Sequence, residues 1–151
     1  MLIASLVGIQ SRTTMDMDTT LKKHPLSEDN LQEILTEICT INLNDNVIFT
    51  LQGLKDIRDA DEYGGFRATL NAQYETINTP LKIDITVGDK ITPEATQYAF
   101  PSIFEEKRIL VLAYNIETLL AEKTETILSR GIFNTRSRDF YDIFILTKTQ
   151  E

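Results

Sequence analysis

Two aspartates one residue apart, Asp16 and Asp18, lie in Thr13-Thr14-Met15-Asp16-Met17-Asp18-Thr19-Thr20, where polar and apolar residues alternate. The alternation predicts a short β-strand, on which residues i and i+2 share a face. Asp16 and Asp18 then project from one side, and Met15 and Met17 enter the core. At a rise of about 3.3 Å per residue the two positions are roughly 7 Å apart, close enough for their carboxylates to converge on divalent cations. Such a site suits two-metal phosphoryl or nucleotidyl transfer. The bland reading is a solvated strand end.

Three further segments carry charge where packing does not require it. Asp84 falls mid-strand in Leu81-Lys82-Ile83-Asp84-Ile85-Thr86-Val87, on the polar face of a run whose other face is Leu81, Ile83, Ile85 and Val87. Aspartate is a poor strand former, so the position marks either a site or an exposed sheet face. Lys123 lies on the helical stripe of Ile116, Leu119, Leu120 and Ile127, where an apolar residue is expected. It must snorkel outward or meet an anion, either a phosphate or a carboxylate cluster. Asp139 and Asp142, at i and i+3 of a later helix, share a face. With Arg136 and Arg138 they form a candidate cluster, or only a solvated set of ion pairs.

The elements that position these residues alternate between helix and strand. Met1 to Gly8 predicts a helix ending at glycine. Ser27 is the N-cap of a helix carrying Leu31, Ile34, Leu35 and Ile38 on one face. Asn42 to Asn46 predicts a turn, Val47 to Leu51 a strand, and Lys55 to Gly65 a loop or a widened connection. Phe66 to Tyr74 and Leu81 to Val87 form an antiparallel hairpin around Asn78-Thr79-Pro80. Thr92-Pro93-Glu94 predicts a helix or turn start, and Ile109 to Ala113 a strand. A helix from Asn115 ends at Gly131. The last helix, Arg136 to Lys148, has Phe140, Tyr141, Phe144 and Ile145 as its core side.

The composition sets limits on function. The 151 residues, 42% hydrophobic and 25% charged, predict one soluble domain. A formal charge of −8 argues against nucleic-acid binding driven by net charge. The single cysteine, Cys39, excludes an internal disulfide and a cysteine-rich metal knuckle, and its helical setting makes it a small core residue. His24, the one histidine, lies before Pro25 in a predicted loop, which leaves no basis for a Ser-His-Asp array. The apolar run Met1 to Ile9 is too short to span a bilayer, so a cytoplasmic protein without membrane attachment is expected.

Taken together, Ser11-Arg12-Thr13-Thr14-Met15-Asp16-Met17-Asp18, Ile83-Asp84-Ile85-Thr86-Val87-Gly88-Asp89, Ala121-Glu122-Lys123 and Arg138-Asp139-Phe140-Tyr141-Asp142-Ile143 resemble the motifs of a known family. The chain is similar to the AbiEii/AbiGii toxin family of bacterial nucleotidyltransferases, within the minimal nucleotidyltransferase and DNA-polymerase-β-like superfamily. The resemblance implies an α/β (α+β) fold, with a mixed, largely antiparallel sheet flanked by helices. It also implies Mg²⁺- or Mn²⁺-dependent transfer from a nucleoside triphosphate to an acceptor such as RNA, in a toxin–antitoxin or phage-abortive system with a cognate antitoxin. By this resemblance Asp16, Asp18 and Asp84 are metal ligands, and Asp84 helps to deprotonate the nucleophile. Lys123 reaches the nucleotide phosphates, and Asp139, with Asp142 as a weaker match, is its acidic partner. Arg12 and Thr14 are phosphate-side contacts.

The family pattern also has a Gly-Gly or Gly-Ser turn upstream of the Asp-x-Asp and a helical C-terminal portion. No such pair precedes Asp16 here, and Gly8 ends a helix instead of starting one. The expectation is a nucleotidyltransferase-like domain over residues 1–151 that lacks both features. Two alternatives stay open: a two-metal nuclease using the same carboxylates, and a domain that binds a nucleotide or protein without turnover. Missing segments would leave apolar surface exposed, which predicts self-association.

Overall fold

A computed structural model describes residues 2–7, 16–22, 25–57, 64–88, 91–102 and 106–148. The chain divides into two compact units, one spanning Thr14–Asp89 and the other combining Met1–Thr13 with Lys90–Glu151. It is a mixed α/β protein whose larger sheet is mostly antiparallel.

The Thr14–Asp89 unit contains β1 (Asp16–Leu21), α1 (Glu28–Cys39), β2 (Val47–Ile57), β3 (Gly65–Tyr74) and β4 (Ile77–Val87). Its four strands are ordered β1-β4-β3-β2; β1 runs parallel to β4, and β4, β3 and β2 are antiparallel neighbours. Helix α1 starts at the N-cap Ser27, whose hydroxyl accepts from Asn30 N at 3.3 Å. Its Leu31 and Leu35 pack on Ala68, Leu70 and Ile85 to form the core of this unit. Cys39 joins that cluster one turn further on, whereas Ile38, predicted to face inward, is 52% exposed. The buried stripe therefore follows i, i+4 and i+8.

The hairpin stands, with its turn moved. Tyr74 pairs with Ile77, so Glu75-Thr76 makes the reversal, Glu75 adopts φ +50°, and Asn78, Thr79 and Pro80 lie within β4. Pro80 pairs with Asn71 of β3, and among the described residues the pairing with β1 begins at Lys82. Strand β2 is six residues longer than its predicted end at Leu51, because a bulge between Leu51 and Gly53 resets the alternation and lets Lys55 and Asp56 continue the ladder. Met17, expected in the core, is 36% exposed on the edge strand β1. Asn44 and Asn46 take left-handed φ values of 58° and 60° in the predicted turn.

The other unit begins with a short helical segment, Leu2–Val7, and contains β5 (Thr96–Pro101), β6 (Arg108–Ala113), α2 (Ile116–Arg130), a 3-10 turn at Gly131–Phe133 and α3 (Ser137–Lys148). Strands β5 and β6 form an antiparallel pair. Strand β5 is not anticipated from the sequence, and Thr92-Pro93 forms a bend with a cis peptide instead of starting a helix. Asn115 caps α2 by accepting from Thr118 N at 2.7 Å, and its side-chain amide donates to the carbonyls of Pro93 and Glu94. Gly131 closes the helix with φ +52°. Met15, Gly8 and His24 lie outside the described residues, and among those described no helix is long and apolar enough to cross a membrane.

Candidate functional site

Strand alternation gives the sheet of the Thr14–Asp89 unit one face against α1 and one polar face. In β4, Ile83 and Ile85 pack on the α1 side, so the alternate residues Lys82, Asp84 and Thr86 take the other. Parallel register sets Asp18 of β1 directly beside Asp84, and Thr20 beside Thr86. Neighbouring strands are about 4.8 Å apart, so the two metal-ligand candidates stand at adjacent positions of one sheet face. Like charges in this relation repel and destabilise the pair unless a cation intervenes.

The cation next to Asp84 is one that sequence reasoning missed. Arg67 of β3 is its antiparallel partner, with Nε donating to Oδ1 and Nη2 to Oδ2, both at 2.6 Å. This side-on fork is the geometry in which arginine holds a carboxylate most firmly. The same row continues to Lys55 of β2, opposite Arg67. Across β2, β3, β4 and β1 the row therefore reads Lys55, Arg67, Asp84, Asp18: two cations, then two anions. The Thr19 hydroxyl donates to the carbonyl of Asp84 at 3.2 Å, fixing the β1–β4 register.

Oxygen donors on a polar sheet face fit a hard divalent cation. Asp18 and Asp84 supply two carboxylates, and the backbone of Asp16 begins β1 opposite Lys82. The side chain of Asp16, together with Arg12 and Thr14, lies outside the described residues. Among those described, no three acidic, histidine or cysteine side chains are gathered closely enough to hold a metal.

The second cluster belongs to the other unit. Lys123 of α2 places Nζ 2.8 Å from Asp139 Oδ1 and 3.4 Å from Asp142 Oδ2 on α3. Both aspartates are buried, Asp142 completely, while Lys123 keeps partial exposure. The lysine on the apolar stripe has thus met a carboxylate cluster, and the solvated ion-pair alternative for Asp139 and Asp142 does not hold. Arg136 Nε lies 3.3 Å from Asp139 Oδ2, outside hydrogen-bond geometry, so that buried oxygen accepts no hydrogen bond among the described residues.

This burial corrects the predicted core side of α3. Asp139, Asp142 and Leu146 form the inward stripe, whereas Phe140 and Phe144 are 52% and 59% exposed and Tyr141 is also exposed. Lys123 explains the inversion: its charge turns the acidic face of α3 inward and leaves the aromatic face outside. Burial pushes the Cys39 thiol up, despite a backbone hydrogen bond at Leu51 that opposes the shift, and disfavours the reactive thiolate.

No curated protein and no solved structure matches the chain. A family model described as nucleotidyl transferase AbiEii toxin, type IV toxin–antitoxin system, matches residues 1–151. With the whole chain covered, the protein belongs to the AbiEii nucleotidyl transferase toxin family.

Proposed function

We propose that this chain is a divalent-metal-dependent nucleotidyltransferase, the toxin of a toxin–antitoxin pair, acting in the cytoplasm on a nucleoside triphosphate and an RNA acceptor. Family membership supports the reaction class. The observation that carries the reading to particular residues is the register pairing of Asp18 with Asp84 on one sheet face.

In this reading Asp16, Asp18 and Asp84 hold Mg²⁺ or Mn²⁺. The bound ions would neutralise triphosphate charge and acidify the attacking hydroxyl. Asp84 accepts the proton of that hydroxyl once the carboxylate is free to do so. Lys123 meets the nucleotide phosphates as a point charge. Asp139 holds its ammonium in place, and Asp142 supports the same ammonium from one helical turn further on. An ammonium has three donors, and its two carboxylate partners among the described residues take at most two of them. Arg12 and Thr14, just before β1, contact the phosphates. The cognate antitoxin restrains the activity.

Incubation of the purified chain with each labelled nucleoside triphosphate, Mg²⁺ and total RNA tests the reading. Label is expected to enter RNA from at least one nucleotide. RNA shortened without label would replace the reading with a nuclease. Nucleotide binding with neither change would replace it with a binding domain.

A further inference from the structure

We propose that Arg67 is the built-in counter-ion of the acidic sheet face and competes with a divalent cation for Asp84, so that this arginine sets the affinity of the site for metal. The inference rests on the reading of Asp18 and Asp84 as metal ligands.

Four observations carry it. Both carboxylate oxygens of Asp84 are engaged by one guanidinium, each at 2.6 Å, so a cation on the Asp18 side meets a carboxylate whose charge is already shared. Asp18 and Asp84 are adjacent in register, which favours a positive charge at this place whether or not metal is bound. Arg67 supplies it from the β3 flank, and a divalent ion would supply it from the β1 flank. Lys55 stands opposite Arg67 on the far side, and its like charge pushes the guanidinium toward Asp84. Finally, the Arg67 side chain is 43% exposed and that of Asp84 only 21%, so the arginine has room to withdraw while the carboxylate stays seated in the sheet.

The consequence is a site closed on itself until metal arrives. A divalent ion near a guanidinium feels twice the repulsion of a single charge pair, so binding is weakened for as long as Arg67 keeps both of its bonds. An arginine stays charged at every working pH, so the counter-ion itself is permanent. Arg67 therefore acts as a positioning residue: it orients Asp84 in the metal-free protein and weakens metal binding at the same time.

Mn²⁺ titration of the full chain, followed by electron paramagnetic resonance, tests the proposal in the wild type, Arg67→Gln, Arg67→Lys and Asp18→Asn, with circular dichroism as the check on folding. Arg67→Gln is expected to bind Mn²⁺ roughly tenfold more tightly. Arg67→Lys, which keeps the charge and loses the fork, should fall between it and the wild type. Asp18→Asn should abolish the tight class, alone and combined with Arg67→Gln. If Arg67→Gln does not fold, Arg67→Lys decides: tighter binding supports the competition, and equal or weaker binding overturns it. An Asp18-dependent Mn²⁺ signal that Arg67→Gln leaves unchanged or weakens overturns this inference alone. No Asp18-dependent signal in any variant overturns the metal-site reading with it.

Discussion

Asp18 and Asp84 stand side by side in parallel register on β1 and β4, two negative charges on adjacent positions of one sheet face. Stability alone would not select this arrangement, because like charges directly opposite each other destabilise a strand pair. The two replacements should therefore act differently. Asp18→Asn relieves the repulsion and is expected to raise stability by about 0.5 kcal/mol while eliminating transfer. Asp84→Asn also eliminates transfer but breaks the Arg67 fork, and should lower stability by about 1 kcal/mol. Urea midpoints together with the labelling assay check both. A loss of stability in Asp18→Asn equal to that in Asp84→Asn would count against the electrostatic account.

Lys123 has a structural duty separate from any contact with phosphate. Removing Lys123 takes away the ammonium that two buried aspartates share, leaving Arg136 at 3.3 Å from Asp139 as the described cation nearest that carboxylate. Lys123→Ala is expected to destabilise the fold by about 3 kcal/mol. Combining Lys123→Met with Asp139→Asn and Asp142→Asn should recover most of that loss, since neutral groups no longer need the ammonium. Denaturant unfolding of the single and triple variants measures the coupling. Additive losses would show that the three side chains do not act as a unit.

The sequence shows which segments are elements better than it shows how they pair. Clean periodicity marks α1, β3, β4 and α2, and Asn115 and Gly131 mark the ends of α2. The hairpin turn misleads because Asn78-Thr79-Pro80 has turn chemistry, whereas the true turn places a glutamate at φ +50°, a residue with no preference for that region. The error hides the site: a reversal centred on Thr79 would set Asp84 opposite Tyr74, and only the true register brings it to Arg67. The β1–β4 pairing joins distant segments in parallel and leaves no local signal. On α3 the aromatic residues look like the core because hydrophobicity usually decides, and it is Lys123 on a different helix that decides otherwise.

Cys39 should behave as a core thiol. Desolvation raises its ionisation above the ordinary value, so the folded state holds the thiol proton more tightly than the unfolded chain does. Its stabilising contribution is present below the ordinary thiol range and is lost as pH rises through the raised folded value. Reaction with a thiol reagent at neutral pH is expected to be several-fold slower than for a free cysteine and to become normal in denaturant. A rate in the folded protein matching that in denaturant would contradict this placement.

Self-association is expected through the unit that carries α3. Ile132, Phe133, Phe140 and Phe144 all expose much of their surface, a pattern that favours partner contact. Light scattering coupled to size-exclusion chromatography should give a mass above the 17.2 kDa of one chain, and Phe140→Glu with Phe144→Glu should return it to that value. A monomer in the wild type at high concentration would dispose of the idea.

The central claim is that the Asp18–Asp84 face performs metal-dependent nucleotide transfer. Its most direct measurement is incorporation of labelled nucleotide into RNA by the wild type and by folded Asp84→Asn, each with Mg²⁺ and with chelator. Label is expected for the wild type with Mg²⁺ only, and background for Asp84→Asn in every condition. Equal incorporation by Asp84→Asn, or incorporation that survives chelation, would contradict it.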